Sequence, residues 1–315
     1  MINETPKYSI KRLSIENIND MAQLHASVYS HAIAPDFFLK KYDTAYTGAK
    51  YIGYIAYNEL HEPIAYYGVI PTLLCYNDRV ILAAQSADTM THPKFRNTGL
   101  FTELAKKTYE LCRNEGVLLV FGFPNQNSLP GFINKLDWHM TETMDRFTIP
   151  VKEIIPLEKL VHKYPFFKPA YTRYKSWLLK KYLNLQPGVI NSVLTDGYNG
   201  VFRDDNYLRY KTYSPTQVIQ IKKSAVWIKL RNGLHIGDIS GITDNFDKIM
   251  NKLSGLARKL GVAEIHFHAS PQTKLHSLFV QRYQPIASFP VIFKDLGYDI
   301  ATDSIKFTFA DIDIF

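Results

Sequence analysis

The residues best suited to chemistry lie in one stretch, Asp88 to Leu104, which reads DTMTHPKFRNTGLFTEL. Arg96 brings a full positive charge, Pro93 interrupts the strand pattern before it, and Gly99 lacks a Cβ and lets an external group approach the main chain. Leu100, Phe101, Leu104, Ala105, Thr108, Leu111 and Cys112 then recur at helical spacing, so a helix is expected to open just after Gly99. The amides of Asn97, Thr98, Gly99 and Leu100 would face outward at the positive end of its dipole, which is a seat for a phosphate or pyrophosphate. Asp88 is the carboxylate near the end of the preceding strand. It has two readings: a general base, or an acceptor that ties down the neighbouring turn. His92 reads as a packing or phosphate neighbour of the same loop.

The elements that must hold this loop can be read from period and punctuation. Val80 to Met90 is strand-like, and Val117 to Phe123 is a continuous apolar run of the kind buried in a parallel pair, with Asn114-Glu115-Gly116 stopping the helix between them. Upstream, Tyr8 to Leu13 reads as a strand and Glu16 to Val28 as a helix, then an apolar segment comes at Phe37 to Tyr42. Lys50 to Tyr57 and Ile64 to Ile70 are strand-like, and Asn77-Asp78 marks a turn.

Here the strand, the proline, Arg96-Asn97-Thr98-Gly99-Leu100-Phe101 and the helix together resemble the Gcn5-related N-acetyltransferase (GNAT) superfamily, whose motif is Arg/Gln-x-x-Gly-x-Gly/Ala. The resemblance implies an α/β acyl-CoA N-acyltransferase fold in which this loop holds the pyrophosphate of acetyl-CoA. It also implies that the main chain at Met90 and Thr91 contacts the thioester. Phe101 departs from the small last residue of the motif, so its bulk must enter the core or crowd the pyrophosphate. Downstream, Asn125, Ser128, Phe132, Lys135, Leu136 and Trp138 fit the next family element, with Asp137 in place of the usual Gly and one extra residue in the spacing. Many members carry a Tyr there that protonates the departing thiolate; this chain has Phe132 or Ile133.

A length of 315 residues points to two domains or a duplicated unit, and the later third repeats the order of the first. Asp205 to Tyr210 echoes Asp36 to Tyr42, GDIS at Gly237 to Ser240 echoes ADTM at Ala87 to Met90, and Phe246 to Leu260, Gly261 and Ala263 to Phe267 supply helix, stop and strand in turn. The copy lacks the Arg-x-x-Gly loop. Two tandem lobes with mixed central sheets are therefore expected: 1–150 binding acetyl-CoA, 151–200 as a connector, and 201–315 as a degenerate second lobe. The connector is basic and aromatic: Lys152, Lys159, Lys163, Lys168, Arg173, Lys175, Lys180 and Lys181 meet only Glu153 and Glu158. It reads as a segment packed against both lobes, with a helix lying on a membrane surface as the alternative.

A net charge of +8 suits an acidic partner such as CoA or a nucleotide-sugar, and no nucleic-acid-binding module accompanies it. With 46% hydrophobic and 21% charged residues, no bilayer-length apolar run and no apolar signal core, the expected location is the cytoplasm. Cys75 and Cys112 read as core thiols, and His266 and His268, alternating on a strand without a carboxylate or cysteine at ligand spacing, give no metal site. Hydrolase elbow, P-loop and dinucleotide fingerprints are missing from the sequence. The function expected is acetyl transfer from acetyl-CoA to a primary amine, on an amino-sugar or nucleotide-sugar. The rivals are a peptidoglycan-type aminoacyl transferase and a non-catalytic acyl-CoA-binding protein.

Overall fold

A computed structural model describes residues 8–30, 32–152, 155–242 and 246–315; Glu153, one of the two acids of the basic connector, lies outside them. Along the chain run β1 (Ser9–Arg12), α1 (Ile18–Tyr29), α2 (Pro35–Tyr42), β2 (Ile52–Tyr57), β3 (Pro63–Tyr76), β4 (Arg79–Thr91), α3 (Leu100–Asn114), β5 (Leu119–Gly122), α4 (Leu129–Leu136) and β6 (His139–Pro150). Next come α5 (Leu157–Lys163), α6 (Lys168–Lys180), β7 (Leu183–Asn184), α7 (Ser192–Thr195), β8 (Gly200–Val201), α8 (Asp205–Tyr210), β9 (Thr216–Ile221), β10 (Ser224–Leu230) and β11 (Leu234–Ser240). The last elements are α9 (Phe246–Leu260), β12 (Glu264–Ala269), α10 (Lys274–Val280) and β13 (Ile286–Asp295). They form two compact units: the chain up to Thr141 with Pro290–Thr302, and Glu142–Phe289 with Asp303–Phe315. The first unit therefore takes in a segment from near the end of the chain.

In the first unit β1 to β4 are antiparallel neighbours in chain order. The turn between β3 and β4 is Asn77-Asp78, both residues at positive φ (48° and 60°), the two-residue turn whose twist matches paired strands. The crossover through α3 then makes β5 parallel to β4, from Ala83↔Leu119 to Ser86↔Gly122. Beyond β5 the first unit's part of β13 pairs antiparallel, Ile292↔Gly122 to Asp295↔Leu119. α3 buries Leu100, Leu104, Ala105, Thr108, Leu111 and Cys112 against this sheet, and its chain turns away at Gly116 (φ +79°). The result is a mixed sheet with α3 and α4 supplying the core around Tyr67, Val120, Phe132 and Trp138. Cys112 is buried and Cys75 half-buried, both as free thiols.

The second unit repeats the order: antiparallel β9, β10 and β11, then α9, then β12 parallel to β11, then α10. β6 joins this sheet, pairing antiparallel with β12 from Glu264↔Pro150 to Ala269↔Asp145. α5 and α6 belong to this unit. Tyr171 and Tyr174 donate through Oη to the carbonyls of Leu260 and Lys259 at the end of α9 (2.8 and 2.9 Å), and Leu178 and Leu179 enter the core.

Three histidines line this sheet. His235 stacks on His266 at 4.9 Å, and His268 packs against Phe309 and Phe289. Ser288 Oγ donates to Met144 O, so it accepts from His268 Nδ1, which fixes the neutral tautomer. Burial, with the neighbouring imidazole adding to it, pushes His235 down to about 4 and His268 down to about 3. Both stay neutral in the fold at pH values where the unfolded chain, with an ordinary value near 6.5, binds protons. Their contribution is therefore intact above pH 6.5 and is lost as pH falls toward the folded values. The slope is about 1.4 kcal/mol per pH unit for each fully uncoupled histidine. Melting wild type and His268→Phe across that range should show a shallower decline in the variant; parallel curves would remove His268 from the acid sensitivity.

Candidate functional site

The parallel pairing of β4 with β5 ends at Ser86↔Gly122, while β4 continues to Thr91 with β3 alone as its partner among the described residues. The two parallel strands therefore part, and alternate main-chain groups of β4 between Ala87 and Thr91 open onto the gap. Within that stretch the register against β3 slips: Gly68 faces Ala87 but Tyr66 faces Met90, so Asp88 and Thr89 together oppose Tyr67. This is a β-bulge, and its first residue, Asp88, takes the left-handed conformation (φ +51°). A bulge re-aims the residues after it, here the main chain of Met90 and Thr91.

The Asp88 carboxylate is held from below. Its Oδ2 accepts from Lys41 Nζ at 2.6 Å and from Tyr42 Oη at 2.9 Å, both at the end of α2. The Lys41 side chain is only 3% exposed and that of Asp88 20%. Burial, with Asp88 adding to it, lifts the Tyr42 phenol well above its ordinary value, so Tyr42 stays a donor to Asp88. Sequence reasoning misses both partners. Lys41 sits in a segment that reads from sequence as merely apolar, 47 residues from Asp88.

After β4, a short 3₁₀ turn at Pro93–Phe95 is capped by His92, whose Nδ1 accepts from the Lys94 amide at 3.3 Å. His92 thus serves the turn. The chain then reaches α3 through Asn97 (φ +64°) and Gly99 (φ +88°), both left-handed. Thr98 Oγ1 donates to Phe95 O (2.8 Å) and the exposed Arg96 donates through Nε to Thr91 O (3.4 Å). Among the described residues, the amides of Asn97, Thr98, Gly99, Leu100, Phe101 and Thr102 have no acceptor, and a Cβ built on Gly99 meets nothing within 4 Å. Exposed donors, open space and a neighbouring guanidinium at the start of a 15-residue helix fit a pyrophosphate. Phe101 leaves this seat clear. Its ring turns inward, edge-on to Phe132 (5.4 Å) and Tyr67 (5.8 Å), and Gly131 provides the room, since a Cβ there would come within 3.1 Å of the ring.

Asn125 stands just past β5 on the other side of the gap. Its Oδ1 accepts from the amides of Asn127 and Ser128, both at 3.0 Å, and so shapes the entry into α4. Phe132 is buried at 5% exposure beside Trp138 and can donate no proton. The phenols of Tyr67 and Tyr109 bond to each other at 2.9 Å, and the Trp138 indole donates to Tyr109. Burial raises both phenols, and they are part of the core. Tyr29, at the end of α1, is different: it is half exposed, its phenol is raised by burial and then by the charge of Asp88, and the charge of Arg96 opposes that rise. It lies within the fields of both groups, and its only signal in the sequence is its place at the end of the first helix.

The second unit reproduces the bulge, and residues 243–245, where the counterpart of the loop would fall, lie outside the described residues. Trp227 faces Asp238 and Ile228 faces Ile236, leaving Gly237 as the extra residue. Asp238 is fully buried and accepts from Arg203 Nη1 (2.7 Å) and from the amides of Ser192 and Ile239, while Arg203 also holds Asp311. There the aspartate at the bulge neutralises a buried cation and binds main chain.

These features can be set beside known proteins. Residues 9–141 match the family model of the acetyltransferase (GNAT) domain. No curated protein matches the sequence. The fold is similar to that of a GCN5-related N-acetyltransferase from Kribbella flavida (TM-score 0.57, 10% identity, 92% of this chain and 72% of that one). It is also similar to one from Anabaena variabilis (0.55, 12%, 92% and 73%) and to a conserved protein from Enterococcus faecalis V583 (0.59, 12%, 92% and 73%). At such identities these likenesses speak for the fold, and the matched domain spans the strand, bulge, loop and helix described above. The chain thus carries an acetyltransferase (GNAT) domain at residues 9–141.

Proposed function

We propose that the first unit transfers the acetyl group of acetyl-CoA to a primary amine on an amino-sugar or nucleotide-sugar, on the cytoplasmic side. The observation that carries this reading is the row of unpartnered amides from Asn97 to Thr102, beside a β4 edge that β5 has left. In this reading Arg96 and those amides hold the pyrophosphate, the Nδ2 side of Asn125 faces the gap, and main-chain donors at Met90 and Thr91 polarise the thioester carbonyl. The bound cosubstrate supplies an activated acyl group, and the chain supplies position and a place for the amine proton. Asp88 acts as a positioning residue that locks the bulge to α2; its role as general base is the competing assignment, and pairing a neutral residue at 88 with one at Lys41 separates the two.

The Tyr29 phenol is proposed as a contact for the incoming acceptor. Tyr29→Phe should raise KM for the amine about tenfold, the worth of one hydrogen bond, and leave acetyl-CoA affinity unchanged. An unchanged KM removes Tyr29 from the acceptor site.

The test of the function is release of the CoA thiol from acetyl-CoA with a panel of free amino-sugars, nucleotide-linked amino-sugars and unrelated primary amines, with the product identified by mass. Acceleration by an amino-sugar supports the proposal. Transfer that requires aminoacyl-tRNA, or tight CoA binding with no amine-dependent release, gives the chain to one of the rival functions.

A further inference from the structure

Between α5 and the segment that follows β7 the chain holds large apolar side chains in water. Phe166 is 73% exposed, Trp177 71% and Leu185 fully exposed, and Phe166 lies against Phe167 with ring centres 4.0 Å apart. On α6 the positions Tyr171, Tyr174, Leu178 and Leu179 turn inward, so Arg173, Trp177 and Lys180, at i, i+4 and i+7, share the opposite side. Basic residues of the same segment lie over its tyrosines: Lys163 over Tyr164 and Lys175 over Tyr171. Lys252 and Lys181 lie over Tyr182 at 4.8 and 5.0 Å. The hydrogen bond from Lys252, then that from Lys181, lowers the Tyr182 phenol, the mark of a positive field at this surface. Among the described residues no helix is long and apolar enough to cross a membrane.

Exposed aromatics would normally be covered by an apolar partner, but a segment with eight lysines and arginines and only two acids between residues 151 and 185 suits a partner that is apolar inside and negative outside. An anionic bilayer has that profile: its headgroups meet the ammonium and guanidinium groups while the interface accepts indole and phenyl rings. We propose that this basic segment, through its exposed Phe166, Phe167, Trp177 and Leu185, docks on an anionic lipid surface, holding the enzyme at a membrane without spanning it.

The other tryptophans, Trp138 and Trp227, are buried, so a change in emission on adding lipid reports chiefly on Trp177. Full-length protein should co-sediment with vesicles of phosphatidylcholine and phosphatidylglycerol, its emission should shift to the blue, and added salt should weaken the association. Pure phosphatidylcholine vesicles should bind it poorly. Phe166→Ser with Trp177→Ser should lower the partition coefficient at least about tenfold. Lys163→Gln, Arg173→Gln and Lys180→Gln combined should abolish the preference for anionic vesicles. All five positions are solvent-facing, and unchanged melting confirms folded variants. Equal sedimentation with both vesicle types, or with wild type and the serine variant, overturns the proposal. So does a wild-type dimer in sizing experiments that the serine variant dissolves, since the patch is then a protein interface.

Discussion

Gly99→Val should weaken acetyl-CoA binding about a hundredfold while the protein still melts as a folded chain. Gly99 stands at φ +88°, where a β-branched residue costs about 1–2 kcal/mol, so a modest fall in melting temperature accompanies the change. Apart from its own chain neighbours, no protein atom lies within 4 Å of the position a Cβ would take, so the added Cβ clashes with nothing else in the chain. It projects instead into the space beside the unpartnered amides of Asn97 to Thr102, where the pyrophosphate is proposed to lie. Arg96→Ala provides the comparison: Arg96 is exposed, its loss removes one charge without blocking the seat, and the expected effect is about tenfold and fades with salt. Calorimetric titration of both variants with acetyl-CoA, alongside melting curves, decides the matter. A folded Gly99→Val protein with wild-type affinity would place the cosubstrate elsewhere.

That loop is legible in the sequence because its signals are local. Pro93, Gly99 and the apolar period of α3 lie within a few turns of one another, and each acts on its own backbone. The orientation of Phe101 is not legible, because it depends on Gly131 on another helix; the ring enters the core because Gly131 has no side chain to meet it. The strand at Ile286–Asp295 is equally hidden. Nothing in its composition says that Ile292 to Asp295 pair with β5 of the first unit, since strand pairing is settled by tertiary contacts far along the chain. The ion pair beneath the bulge is hidden for the same reason. A lysine in a helical stretch ordinarily reads as solvated surface, and only the fold brings Lys41 beneath Asp88. The repeat of GDIS on ADTM is visible, and the structure gives it a physical basis, since both aspartates sit at bulges and each holds a cation.

Asp88→Asn should destabilise the first unit by about 2–4 kcal/mol, because it removes the negative charge beside the buried ammonium of Lys41. The backbone is not the cause of that loss: asparagine tolerates the left-handed conformation at φ +51° as well as aspartate does, so the substitution removes charge and leaves the bulge allowed. Lys41→Met in the same chain then removes the ammonium as well and fills its place with an apolar side chain of similar length. Replacing a buried ion pair by neutral side chains is often without penalty, so the double variant should regain most of the lost stability. Activity in that restored protein carries the decision. If Asp88 only positions the bulge, turnover recovers along with melting temperature, because the substituted asparagine can still accept from Tyr42 and hold β4 to α2. If the carboxylate takes the proton from the amine, the double variant is stable, binds acetyl-CoA normally and remains about a hundredfold or more slower, with the loss in kcat. The buried lysine and the fully buried counterpart at Asp238 favour the first outcome. A stable double variant that stays slow would overturn it and make Asp88 the base.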